Sequence, residues 1–193
     1  MKKIITISRQ FGAAGSTIGK AVADRLGFEF YYRELILQMA RNSNLDVEIL
    51  LKWDEKVPAN FGFAQSLFDF SNKPLGEKLY SVQESVIRRV GEKGKCVIVG
   101  RNANDILKEF DHTLHVFVYG TEEWRLEHMK MKMPEVSDAR LLEEMHNIDK
   151  ARKKYCSYFT GNEFGVAEHY DICLSASSLG IEKCIDMICM LAD

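Results

Sequence analysis

Ile4-Ile5-Thr6-Ile7 is a short β-branched run that leads directly into Ser8-Arg9-Gln10-Phe11-Gly12-Ala13-Ala14-Gly15, and then into Ser16-Thr17-Ile18-Gly19-Lys20. A buried strand, a glycine-containing loop and an amphipathic helix in this order constrain the fold more than any other stretch of the chain. Such a junction aims backbone N–H groups and the positive end of a helix dipole at one point, where phosphate oxygens can replace water. Gly12 and Gly15 let the backbone turn and approach an anion closely. A plain strand-to-helix turn, capped by Ser16 or Thr17, accounts for the same spacing. As a phosphate loop, the segment offers Gly12, Ala13, Ala14, Gly15, Ser16 and Thr17 to the anion, and the two hydroxyls are candidate Mg²⁺ ligands. The pattern GxxxxGK[ST] is not met, because Lys20 follows Ile18 of a helical stripe and is placed beyond the loop. Another cation must do the lysine's work, and Arg9 at the strand end is the nearest candidate.

The rest of the chain repeats the alternation of short apolar runs with helical stripes. The runs are Ile4 to Ile7, Phe28 to Tyr31, Cys96 to Val99, Leu114 to Val118 and Ile172 to Leu174. They predict a parallel sheet of about five strands with helices on both faces, a three-layer α/β fold. Thr17 to Leu26 carries Ile18, Val22 and Leu26 on one face, with Gly27 as its stop. Leu75, Leu79, Val82, Val86 and Val90 form a second stripe ended by Gly91 and Gly94, and a last helix is expected from about Leu179 to Leu191. Asn44 to Asn72 holds Trp53, Phe61, Phe63, Phe68 and Phe70 in no strand pattern, and reads as an inserted helical lobe broken at Pro58 and Gly62.

Composition narrows the function classes. Lys and Arg number 26 against 28 Asp and Glu, a net charge of −2, which does not suit a protein that coats nucleic acid or anionic lipid. No apolar run approaches the roughly 20 residues of a membrane span, and the polar start does not read as a signal peptide, so the expectation is a soluble, cytoplasmic protein. The five cysteines form no CxxC pair and are expected to be reduced and mostly buried. His112 and His115 lack a third ligand nearby, so no metal site is expected there. The oligomeric state is not readable.

Further segments carry a family resemblance. Ile7-Ser8-Arg9-Gln10-Phe11-Gly12-Ala13-Ala14-Gly15 with Ile18-Gly19-Lys20, Phe30-Tyr31-Tyr32-Arg33-Glu34-Leu35-Ile36, Val97-Ile98-Val99-Gly100-Arg101-Asn102-Ala103, Asp149-Lys150-Ala151-Arg152-Lys153-Lys154-Tyr155 and Leu179-Gly180-Ile181-Glu182-Lys183 occur in order over nearly the whole chain. Together they resemble the cytidylate kinase-like proteins, relatives of the nucleoside monophosphate kinases. The resemblance implies one P-loop kinase-like domain over 1–193, with a helical acceptor-side region at 34–92 and a helical lid at about 121–165. It implies a nucleotide kinase that transfers the γ-phosphoryl group of ATP, with Mg²⁺, to a pyrimidine nucleoside monophosphate such as CMP. The expected partners are small-molecule nucleotides, with neither nucleic acid nor membrane among them.

In such a kinase the acceptor is an already ionised phosphate, so catalysis consists of alignment and charge neutralisation by converging cations. The resemblance assigns Arg9, Arg101 and Arg152 to catalysis, Arg33 and Asn102 to the acceptor, and Lys150 with the phosphate loop to ATP. Asp149 and Arg152, three apart, share a helix face, so Asp149 either holds Arg152 in place or merely pairs with it. A surface arginine paired with a neighbour such as Glu34 is the plainer account of Arg33, and a solvated helix face that of the Lys150–Lys154 run. Three departures stand out: the P-loop lysine is missing, Tyr32 stands where the family often has aspartate, and Asn102 replaces the acidic residue after Gly-Arg. The competing readings are a catalytically weak or inactive nucleotide-binding or phosphate-binding regulatory module, and a small-molecule kinase with another acceptor. A dinucleotide-binding oxidoreductase is disfavoured, since Gly12 to Gly15 lacks GxGxxG and no clear ribose-binding acid follows the second strand.

Overall fold

The alternation of side chains along β1 (Ile4–Arg9) sorts the core into two faces. Ile5 and Ile7 are fully buried on one side and Ile4 and Thr6 on the other, so β1 is a central strand covered twice. The computed structural model describes residues 3–32 and 73–193. Within them the elements are β1, α1 (Gly15–Leu26), β2 (Glu29–Tyr31), α2 (Lys73–Lys93), β3 (Cys96–Val99), α3 (Ala103–Ile106), β4 (Thr113–Tyr119), α4 (Glu122–Lys132), α5 (Asp138–Thr160), β5 (Ile172–Ser175), α6 (Ala176–Leu179) and α7 (Ile181–Ala192). The expected lobe at 44–72 and Arg33 lie outside the described residues, as does most of the expected acceptor-side region.

The strands form one all-parallel sheet in the order β2-β3-β1-β4-β5. On one face, α1 and α7 pack side by side, with Ile18, Val22, Ile185 and Ile188 against Ile5, Ile7, Val97, Val99 and Val116. On the other, Val86, Ile87 and Val90 of α2 and Ile106 of α3 cover Ile4, Cys96 and Ile98. This is the three-layer P-loop kinase architecture the sequence predicts. In such a sheet the crevice lies at the carboxyl ends of the strands, beside the point where the chain reverses its direction of progress across the sheet. That point is β1, flanked by β3 and β4.

Boundaries differ in informative ways. Helix α1 starts at Gly15, two residues earlier than expected, and its N-cap is Ala14 in the left-handed region (φ 61°), with no side-chain cap bond. Ser16 and Thr17 therefore belong to the first turn, and neither caps the helix. Helix α2 runs through Gly91, whose bare Cα lets Leu107 and Phe110 approach, and ends before Gly94. The last helix is interrupted at Gly180 (φ 80°), giving α6 and α7. Four of the five cysteines are buried and all five are free thiols. No helix among the described residues is long and apolar enough to cross a membrane.

Helices α4 and α5 pack on each other around Met129, Leu141 and Met145, and this small core receives Phe11 from the loop after β1.

Candidate functional site

The loop after β1 is held in place by its own ends and by neighbouring strands. Gln10 donates its amide to the carbonyl of Val118, and its side-chain carbonyl accepts from the amide of Gly120, so the loop start is pinned to the end of β4. Ala13 bonds back to the carbonyl of Gln10, and Phe11 donates to Asp149. Ile18 bonds the carbonyl of Ala14 and begins the helical ladder. No group among the described residues accepts from the amides of Gly12, Ala14, Gly15, Ser16 or Thr17. These donors sit at a helix N-terminus of twelve residues, the arrangement that solvates anions.

Arg9 ends β1 and is the first of three cations. Its Cβ and Cγ pass 2.7 Å from where a side chain at Gly15 would begin, and a Cβ at Gly100 would collide with its Nη1. Its guanidinium lies 5.4 Å from the ring centroid of Tyr32, at the end of β2. The second cation follows β3, where Gly100, Arg101 and Asn102 are consecutively left-handed, with φ of 81°, 66° and 53°. Two non-glycine residues in that region are costly and persist only when the surroundings hold them. Gln83 of α2 supplies part of the hold: its side-chain amide donates to the carbonyl of Arg101 (3.0 Å) and to the Tyr155 hydroxyl (2.7 Å). The third cation is Arg152 on α5, which is 6% exposed, donates from Nη1 to the carbonyl of Arg9 (2.9 Å) and lies 5.8 Å from the ring centroid of Phe11.

The charges of these groups act on one another. Burial pushes Arg101 down to about 10, Tyr155 works the other way, and the guanidinium of Arg9 adds to the burial. Burial also pushes Arg152 down to about 9, with Arg9 and Arg101 adding and Asp149 opposing. Burial alone would raise Tyr32, yet Arg9, Arg152 and Arg101 outweigh it and hold the phenol below its ordinary value. A guanidinium does not give up its proton in a protein, so this mutual stress is a demand for negative charge. Among the described residues Asp149 is the carboxylate paired with Arg152, at 3.9 Å, but it is committed to the amide of Phe11 (2.7 Å) and to Arg125 (2.6 Å). The Nε of Arg152 is buried and has no partner among the described residues.

The other sequence-derived candidates fall in different places. Asn102 is buried beside Arg101, while Lys150 lies on the exposed side of α5. Lys20 is paired with Asp24 on the exposed face of α1, beyond the loop. Tyr155 is buried and packs against Tyr80 and Phe159, and the exposed Tyr158 bonds Glu77. The sequence reading missed Arg125, His128 and Lys132 of α4. Arg125 donates to the carbonyl of Phe11, His128 donates from Nδ1 to the carbonyl of Gly12, and Lys132 donates to the hydroxyl of Thr17. Their spacing marks one helix face, but polar residues on a helix usually mark solvent, and nothing local points to a loop more than a hundred residues away.

A resident Mg²⁺ fits this site poorly. Ser16 and Thr17 offer hydroxyls, but the position after β3 that would hold a carboxylate is Gly100-Arg101-Asn102. Among the described residues no cluster of His, Cys, Asp or Glu could hold a metal. Magnesium sites ordinarily use one or two carboxylates together with substrate phosphates.

Comparison with known proteins adds the lineage. The fold is similar to an uncharacterized protein from Eubacterium ventriosum ATCC 27560, with a TM-score of 0.77, 23% identity, and 100% of this chain and 99% of that chain covered. It is similar to shikimate kinase from Bacteroides thetaiotaomicron, with a TM-score of 0.56, 14% identity, and 99% and 98% covered. A gluconokinase from Sinorhizobium meliloti 1021 gives a TM-score of 0.55, 15% identity, and 99% and 94% covered. At these identities the likeness is one of fold. No curated protein matches the sequence significantly. The sequence itself matches the cytidylate kinase-like family over residues 4–178, from the first residue of β1 into α6, and the chain belongs to that family.

Proposed function

We propose that the chain is a phosphotransferase that moves the γ-phosphoryl group of ATP to the phosphate of a nucleoside monophosphate, with a pyrimidine nucleotide such as CMP as the first acceptor to test. The observation that carries this reading is the meeting of Arg9, Arg101, Arg152 and Tyr32 beside a loop with unbonded amides, where Asp149 is spent elsewhere. An alcohol acceptor calls for a general base to take its proton. A phosphate acceptor is already ionised and calls only for neutralisation, which suits a site whose described residues are rich in guanidiniums and poor in free carboxylates.

In this reading the amides of Gly12, Ala14, Gly15, Ser16 and Thr17 receive the ATP phosphates. Arg101, with Asn102 and Arg33, holds the acceptor phosphate. Arg9 and Arg152 stand between the two and offset the charge that builds up as they are brought into line. A bond forms between an acceptor phosphate oxygen and the γ-phosphorus as the bond to the β,γ-bridging oxygen breaks, and ADP leaves with that electron pair. No proton changes hands at the acceptor. Magnesium enters with its nucleotide as MgATP, and Lys150 with the α4–α5 segment covers the donor side as a lid.

The test is a coupled ADP-release assay with MgATP across CMP, dCMP, UMP and a panel of polyols and hydroxy acids. Turnover with a pyrimidine monophosphate is expected, and turnover confined to an alcohol overturns the reading. The loop lacks its usual lysine and no metal-binding carboxylate cluster is present among the described residues, which favours one alternative, a phosphate-binding regulatory module that would bind ATP with no turnover of any acceptor.

A further inference from the structure

Four side chains of α4 and α5 grip the backbone of the phosphate loop. Arg152 donates to the carbonyl of Arg9 (2.9 Å), Arg125 to that of Phe11 (2.9 Å) and His128 to that of Gly12 (2.7 Å), while Asp149 accepts the Phe11 amide (2.7 Å). Arg125 and Asp149 also pair with each other at 2.6 Å and are only 7% and 14% exposed. The fit is close: a Cβ at Gly12 would lie 3.1 Å from both the Cβ and the carbonyl oxygen of Arg125. The Phe11 ring packs into the core of the same two helices.

A buried ion pair is weak evidence for stability, because a well-packed apolar pair of similar volume often does as well or better. What an apolar pair cannot do is engage both the N–H and the C=O of Phe11. With its carbonyls at Arg9, Phe11 and Gly12 turned toward α4 and α5, the loop has the amides of Gly12 and Ala14 to Thr17 left over for an anion. Here the ordering that a loop lysine and its ligand would otherwise share comes from two helices that are distant in sequence.

We infer that Asp149 and Arg125 are positioning residues that set the phosphate loop in its anion-accepting conformation, so that the affinity of the loop for the phosphates of ATP depends on this pair. The inference rests on the loop being the ATP site, as proposed above.

The test compares wild type with Asp149→Asn and with the double variant Arg125→Met/Asp149→Leu, measuring melting by circular dichroism, ATP affinity by calorimetry and amide hydrogen exchange over 11–17. Asp149→Asn leaves the Arg125 charge buried and unpaired; it is expected to lower the melting temperature and to weaken ATP by about tenfold or more. The double variant removes both charges and is expected to regain melting temperature but not ATP affinity. A purely structural pair would regain both, and that result overturns the inference, as does wild-type ATP affinity in Asp149→Asn. Should the double variant not fold, Asp149→Asn decides by exchange at the Phe11 amide, expected to quicken by about tenfold relative to α7. Should wild type not bind ATP, the proposed function fails, and the same exchange measurement still judges the grip: unchanged exchange at 11–17 overturns it.

Discussion

Arg101 sits in left-handed backbone with Gly100 before it and Asn102 after it, and Gln83 bonds its carbonyl. Strain of this kind, held by a specific partner, aims the side chain at the expense of stability. In Arg101→Ala, kcat/KM for the acceptor is expected to fall by about ten- to hundredfold, the worth of one charge-assisted contact. The melting temperature should be unchanged or higher, since one of three mutually repelling guanidiniums is gone; wild-type acceptor kinetics would remove Arg101 from the site. Tyr32 gives a second prediction. Its phenol is held below its ordinary value of about 10 by three guanidiniums. An incoming phosphate neutralises those cations and lifts the phenol back, so binding takes up a proton. CMP affinity should therefore fall as pH rises from the depressed value toward about 10, and Tyr32→Phe should flatten that slope in a calorimetric pH series.

At the scale of elements, α4 is where acid should be felt first. His128 is buried, and burial pushes its imidazole below the ordinary value; its bond to the Gly12 carbonyl opposes this, and Lys132 adds to it. With the folded value depressed, the unfolded chain binds the extra proton first, so stability falls as pH drops through about 6.5. The melting temperature of wild type should decline between neutral pH and about pH 5, and His128→Phe should decline less while starting lower. An equal acid dependence in both would clear His128 of this role.

The strands and the principal helices were legible in the sequence because burial on both faces of a parallel sheet leaves unbroken apolar runs, as in Cys96-Val97-Ile98-Val99. The start of α1 was not, because its cap is an alanine in a conformation that alanine rarely adopts and therefore does not announce. Arg9, Arg101 and Arg152, far apart in the sequence, come close enough in the fold to act on one another. The grip of Arg125, His128 and Asp149 on the loop was invisible, since their partners are mainly backbone atoms of Phe11 and Gly12. Backbone partners leave no mark in residue identity.

Over the whole molecule, a chain of net charge −2 concentrates three guanidiniums and a row of unbonded amides at the carboxyl ends of β1 and β3. The overall charge therefore says little about what the crevice attracts; the local field does. The measurement that bears most directly on the account is a ¹⁵N-resolved NMR titration of the intact chain with MgATP. Large shifts of the amides of Gly12, Ala14, Gly15, Ser16 and Thr17 are expected, with a slowly exchanging Nε–H for Arg152. ATP binding that leaves those amides unmoved while resonances elsewhere shift would contradict it.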